Sequence, residues 1–226
     1  MSILLMVHIA GGFVALSSGV AAMIFRKGSK LHKKNGNVFV ISMLVMAITA
    51  SYLAWNKAIM LSVFGGTLTT YLVITAWLAA RRKKGQSGIA EVSALLLILV
   101  TAVGYYYFGF ETLNSASGLS KDGLPAQAFF VFGSVAIIAA FFDIKMLLAK
   151  KLNQAQRMTR HIWRSGFAMF MATVSLFLGQ SQVFPESLQK IEFLAPPVIA
   201  VIAFLLYWLC RVLFTNLYKK PKIAVN

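Results

Sequence analysis

Negative charge is what this sequence has least of: its 226 residues carry six aspartates and glutamates against 22 lysines and arginines. Charged residues of both signs amount to 12%, where a soluble domain carries about a quarter. A soluble globular domain is thereby excluded. Cysteine occurs once, at Cys210, which rules out an internal disulfide and any Cys-x-x-Cys metal or redox motif. Cys210 itself reads as a small hydrophobe near the inner end of the last apolar run. There is no Gly-x-Ser-x-Gly elbow, no P-loop, no His-Glu-x-x-His helix and no rhomboid-like serine and histidine arrangement. The common hydrolase and ATPase chemistries therefore lack their residues. The methionines are scattered and form no Met-x-x-Met array, so they read as core filler and not as copper carriers.

What remains is apolar, at 59% of the chain. A bilayer span needs roughly 20 predominantly apolar residues. The chain offers such runs at Ile3 to Phe25, Asn37 to Trp55, Ala58 to Ala80, Ile89 to Phe110, Ala126 to Ala149, His161 to Val183 and Ala195 to Tyr218. The expected architecture is an all-α, polytopic transmembrane helix bundle of about seven spans, forming a single domain over residues 1–226. The second and third runs are joined only by Asn56 and Lys57, which predicts a tight antiparallel hairpin. The opening Met-Ser-Ile-Leu-Leu lacks the basic n-region of a signal peptide and its apolar run is too long, so the first span reads as retained.

The net charge of +16 is a statement about topology. Arg26, Lys27, Lys30, Lys33 and Lys34 fall in the first loop, and Arg81, Arg82, Lys83 and Lys84 in the third. Lys145, Lys150, Lys151, Arg157, Arg160 and Arg164 surround the fifth, and Arg211, Lys219, Lys220 and Lys222 mark the C-terminus. With alternating spans all of these lie on one side, leaving Lys57, Lys121 and Lys190 for the other. The positive-inside rule then places the N-terminus outside and the C-terminus inside. The partners this implies are the lipid bilayer and its anionic phospholipid headgroups, not nucleic acid. A membrane-protein partner or a homo-oligomer is a further expectation, because several helix faces are small and polar. The bacterial cytoplasmic (inner) membrane is the expected location.

Chemistry concentrates at Arg160-His161-Ile162-Trp163-Arg164-Ser165-Gly166, where a basic loop runs into an apolar segment. At about 100° per residue, His161, Arg164, Ser165, Ala168, Ala172, Ser175, Gly179 and Gln182 share one face, a polar stripe suited to protein contact. In the first span His8 shares a face with Gly11, Gly12, Ala15, Gly19 and Ala22, which turns it toward the bundle. It is either a neutral histidine bonded to a neighbouring helix or a ligand or proton-transfer group. His32 stands at the inner mouth of the second span, where a headgroup contact competes with ligation. It lies too far from His8 to share one metal ion with it.

Two acids fall within apolar runs. Glu91 opens the fourth span, on a face with Ala94, Leu95, Ile98, Ala102 and Tyr105. Asp143 lies about two turns from the inner end of the fifth, with Ala136, Ala139 and Ala140 on its face. Such carboxylates are costly unless paired, and are functional-site hypotheses by default. The alternative for both is structural: for Asp143 an ion pair with Lys145, Arg160 or Arg164, for Glu91 a role near the interface. The remaining acids sit in outer loops such as Glu111 to Pro125 and Phe184 to Leu194. Tyr105, Tyr106 and Tyr107 fit an interfacial aromatic belt.

On this topology His32, Glu91, Asp143, Arg160, His161 and Arg164 reach one depth, at or just inside the cytoplasmic interface. His32, His161, Asp143 and Glu91 are a ligand set for a divalent metal. His32 and His161, with His8 next and Arg164 beside them, are equally candidates to hold haem. Asp143 and His161 alternatively form the coupling groups of a small transporter or proton-coupled channel. The third alternative is a non-catalytic complex subunit or assembly factor, in which all of these are satisfied structural groups. No membrane-central lysine occurs in the last run, which argues against a retinal protein.

The first-span histidine followed by glycines, the run Arg26-Lys27-Gly28 then His32-Lys33-Lys34-Asn35-Gly36, and His161-Ile162-Trp163-Arg164-Ser165 carry a family likeness. The chain resembles the bacterial multi-pass membrane proteins grouped as domain of unknown function 2306. Asn35 and Asn37 depart from the arginine-like and glycine positions typical of that family. The resemblance implies a multi-pass bundle and directs attention to His8, His32, His161 and Arg164, but the family has no settled activity to lend.

Overall fold

The computed structural model describes residues 2–81, 88–121, 123–149 and 152–215. Among these the regular structure is entirely helical: α1 (Ile3–Ile24), α2 (Lys30–Trp55), α3 (Met60–Arg81), α4 (Ile89–Leu113), α5 (Ala126–Ala149), α6 (Gln154–Phe177) and α7 (Ile191–Phe214), with two short 3-10 turns between the last two. Arg82, Lys83, Lys84, Lys150, Lys151, Tyr218, Lys219, Lys220 and Lys222, all named above, lie outside the described residues. Six of the helices are long and apolar enough to cross a membrane, so the chain is a multi-pass membrane protein in architecture. The sixth, α6, does not qualify, because Arg157, Arg160, His161 and Arg164 occupy its first three turns.

Helix ends differ from the apolar runs for local reasons. α2 begins at Lys30, well before Asn37, because Ser29 caps it by accepting from the backbone N–H of His32 at 3.2 Å. α6 begins at Gln154, not His161, because Asn153 and Gln156 exchange side-chain bonds at 2.8 and 2.9 Å. It ends at Phe177, so Gly179 and Gln182 fall outside it. α3 starts at Met60 and not Ala58, since Ala58 takes a left-handed φ of 54° and closes the turn after α2. α7 starts at Ile191 and carries Pro196 and Pro197 within its first two turns.

The residues fall into two compact units: Met1–Ile74 with Ser87–Lys150, and Thr75–Gln86 with Lys151–Asn226. In the first unit α1 packs on α2 and α4 on α5. Missing Cβ atoms set the spacing of this unit. A Cβ on Gly11 would lie 3.4 Å from Met46 N and Ser42 O of α2, and one on Gly66 of α3 would lie 2.6 Å from Ala47 O. A Cβ on Gly133 of α5 would meet the Tyr106 ring of α4 at 2.9 Å. Small residues thus bring the backbones together, as apolar surroundings require when no hydrophobic force separates helix from lipid. α3 is the most enclosed of the candidate spans. In the second unit α6 packs on α7, where a Cβ on Gly166 would meet Leu205 at 2.6 Å.

Candidate functional site

Asp143 is completely closed off from solvent, and so is Tyr71 of α3. The Tyr71 hydroxyl donates to Asp143 Oδ2 at 2.6 Å and stands 3.5 Å from the carbonyl of Ala139, one turn earlier on α5. The expected alanine face of α5 is present, with Ala136, Ala139 and Ala140 all buried beside the acid. Its small side chains leave room for a phenol to reach across from α3. Lys145, offered above as an ion-pair partner for Asp143, points outward instead. Tyr71 was not visible as a site residue in the sequence. The only available signal was the spacing of Thr67, Tyr71 and Thr75, four residues apart on one face of α3.

The three histidines follow a common rule: each turns Nδ1 onto a backbone carbonyl of another helix. His8 Nδ1 meets Met46 O of α2 at 2.9 Å, with Thr49 Oγ1 at 3.2 Å. His32 Nδ1 meets Ala22 O, in the last turn of α1, at 2.9 Å. His161 Nδ1 meets Ala76 O of α3 at 3.1 Å, within the second unit. A carbonyl oxygen only accepts, so the shared proton sits on Nδ1, and in the neutral ring Nε2 is the basic nitrogen.

Cations join the histidines at the same helix ends. The ammonium of Lys27 donates to the carbonyls of Ala22 and Met23, and burial lowers its pKa from the ordinary lysine value. In the second unit Arg157 donates from Nε to Ala79 O at 3.3 Å and from Nη2 to Ala80 O at 3.4 Å. The last carbonyls of a helix lack partners within it and carry the negative end of its dipole, so a cation there is favourable. The C-terminus of α1 is closed by His32 and Lys27 and that of α3 by Arg157, while His161 meets α3 at Ala76, just before its last turn.

Glu91 is likewise buried, but at the third position of α4, where its Oε2 accepts from the backbone N–H of Gly88 at 2.9 Å. That is a helix-capping contact. Arg160 and Arg164 are buried with Ala168 and Ala172, so the central part of the predicted α6 stripe faces protein. Ser175 and Gln182 are exposed, because the stripe drifts off the packed face near the end of the helix. Tyr105 corrects another expectation. It is fully buried among Phe64, Phe129 and Phe132 and takes no part in an interfacial belt, whereas Tyr107 faces outward.

Among the described residues no three or more His, Cys, Asp or Glu side chains come together to hold a metal ion. Between His8 and the Ala22 carbonyl that holds His32, α1 advances ~21 Å at 1.5 Å per residue, so the two imidazoles of this hairpin cannot share one iron. No protein-family model matches the chain, and no curated protein or solved structure is significantly similar to it.

Proposed function

We propose that this chain is a bacterial inner-membrane protein that passes protons, or a solute coupled to them, across the bilayer, with Asp143 as the proton-binding group. The observation that carries the reading is the 2.6 Å bond from Tyr71 to Asp143, both side chains being shut away from solvent. An acid inside a membrane bundle is expensive to keep, and such residues mark ion and proton paths. A carboxyl oxygen accepts a hydrogen bond whether the group is ionised or protonated, so Tyr71 holds Asp143 through a complete proton cycle. His161, whose Nε2 is the basic nitrogen, is the second coupling group in this reading. In this reading α6 crosses together with the six apolar helices, which puts the N-terminus outside and the C-terminus inside, with the basic loops against anionic lipid. Membership of the domain of unknown function 2306 group belongs to the same proposal and rests on the histidine motifs alone. The test is proton flux into proteoliposomes holding a pH-sensitive dye, under an imposed gradient. Wild-type protein conducts and Asp143→Asn does not; equal rates in the two overturn the proposal.

A second reading is favoured by the histidine geometry. An Nδ1–H held on a carbonyl is how ligating imidazoles are commonly oriented, with Nε2 presented to iron or another metal. Haem would then be held by one of these nitrogens and a ligand other than the histidine of the same hairpin. An absorption spectrum of the detergent-purified protein, oxidised and then reduced with dithionite, decides this. A Soret band lost in a His32→Ala or His161→Ala variant supports it, and a flat spectrum with no metal by elemental analysis removes it.

A further inference from the structure

The hydroxyl of Tyr105 is fully buried on α4 and has no hydrogen-bond partner among the described residues. Buried phenols ordinarily find a partner, in protein or in ordered water. What lies around this one is ordered. One turn earlier on the same face of α4 is Thr101, buried, with Oγ1 2.7 Å from Leu97 O and 3.3 Å from Thr67 Oγ1 of α3. One turn further along α3 from Thr67 is Tyr71, which donates to Asp143. Hydroxyls therefore descend from Tyr105 through Thr101 and Thr67 to Tyr71 and the acid, all within the first unit.

The Thr101 to Thr67 step is direct. The Tyr105 ring is held by Phe64 of α3 and by Phe129 and Phe132 of α5. Ala136 and Ala139 of α5 are fully buried in the same unit.

We propose that Tyr105, Thr101 and Thr67, with intervening water, form the proton-conducting line that joins Tyr71 and Asp143 to the other end of the bundle. The inference rests on the proton-transfer reading of Asp143 and adds its route. Each relay oxygen accepts a proton from the group before it and releases its own O–H proton to the next. Charge moves along the line while no relay residue is altered over a full transfer.

The experiment is dye-reported proton flux in proteoliposomes reconstituted with wild-type protein, Tyr105→Phe, Thr101→Val, Thr101→Ser and Asp143→Asn. Tyr105→Phe and Thr101→Val are expected to lower the flux about tenfold or more, with Thr101→Ser near the wild-type rate because it keeps the oxygen. Tyr105→Phe should melt no lower than wild type, since it deletes a polar atom that the protein itself leaves unbonded. Wild-type rates in both Tyr105→Phe and Thr101→Val, with Asp143→Asn inactive, overturn the route and spare the role of Asp143. Full flux in Asp143→Asn, or none in the wild type, overturns both. A Thr101→Ser variant as slow as Thr101→Val also overturns the route, since packing and not the hydroxyl would then be what matters.

Discussion

His32 closes the end of the helix that precedes it: its Nδ1 lies 2.9 Å from the carbonyl of Ala22, while its own backbone N–H is held by the Ser29 side chain. At the far end of the same hairpin His8 does the reverse, reaching from α1 to Met46 O of α2 at 2.9 Å. The two antiparallel helices are thus clasped near both ends, each by an imidazole from the other. In an apolar bundle, where lipid competes on equal terms with side chains, directional bonds of this kind fix which helix pairs with which.

Removing one clasp tests its weight. His32→Ala is expected to cost about 0.5–1.5 kcal/mol, the net worth of an ordinary hydrogen bond, because Lys27 still serves the Ala22 carbonyl. His32→Asn, whose amide N–H donates from nearly the position of Nδ1, should recover most of this. Unfolding in mixed detergent micelles reads both variants, and an alanine variant as stable as wild type would show that the clasp carries no weight.

The Tyr71 and Asp143 pair should behave as a unit. Tyr71→Phe strips a donor from a buried carboxylate and is expected to cost about 1.5–3 kcal/mol, the range for a hydrogen bond to a charged group. Asp143→Asn keeps an oxygen for the phenol to donate to and should cost less. A Tyr71→Phe/Asp143→Ala double variant should cost less than its two single changes added together, because each of those changes removes the same bond. Strict additivity in the same unfolding assay would mean that the 2.6 Å contact contributes no coupling.

How much of this was legible depended on what each feature requires. The apolar runs located the helices, and the glycine face of α1 correctly turned His8 toward a neighbour, since both are properties of a single helix. The early starts of α2 and α6 were hidden from hydropathy because their first turns are basic, although the capping residues Ser29 and the Asn153 with Gln156 pair are local and readable. The alanine face beside Asp143 was readable too. Its partner Tyr71 was not, because that contact depends on α3 lying against α5, a neighbour relation that no single-helix pattern encodes. Tyr105 was misplaced for a related reason: three successive tyrosines look interfacial, yet a helix turns about 100° per residue and sends one ring inward and its neighbour outward.

Ala58 is a residue with a β-carbon held at a φ of 54°. The left-handed region costs L-residues other than glycine about 1–2 kcal/mol. Ala58→Gly should therefore stabilise the α2–α3 turn, by an amount reduced by the extra freedom glycine gains when unfolded. A rise in melting temperature in detergent is the expected outcome, and a fall would mean that the methyl group makes a contact worth more than the strain.

Gly66 and Gly36 are both helical glycines, and they should respond in opposite directions to the same substitution. At Gly36 nothing lies within 4 Å of an added Cβ, so Gly36→Ala gains helix propensity, about 0.8–1 kcal/mol in an exposed helix interior. At Gly66 the added carbon would strike the Ser51 side chain and come within 2.6 Å of the Ala47 carbonyl. Serine can rotate away, but the carbonyl belongs to the backbone of α2, so the helices themselves must separate. Gly66→Ala is expected to destabilise by about 1–3 kcal/mol, the range of overpacking a closed interface, and to lower the melting temperature in mild detergent. Pairing it with Ser51→Ala relieves only the movable contact and should rescue little. Full rescue by that second change would show that α2 and α3 are free to adjust their spacing.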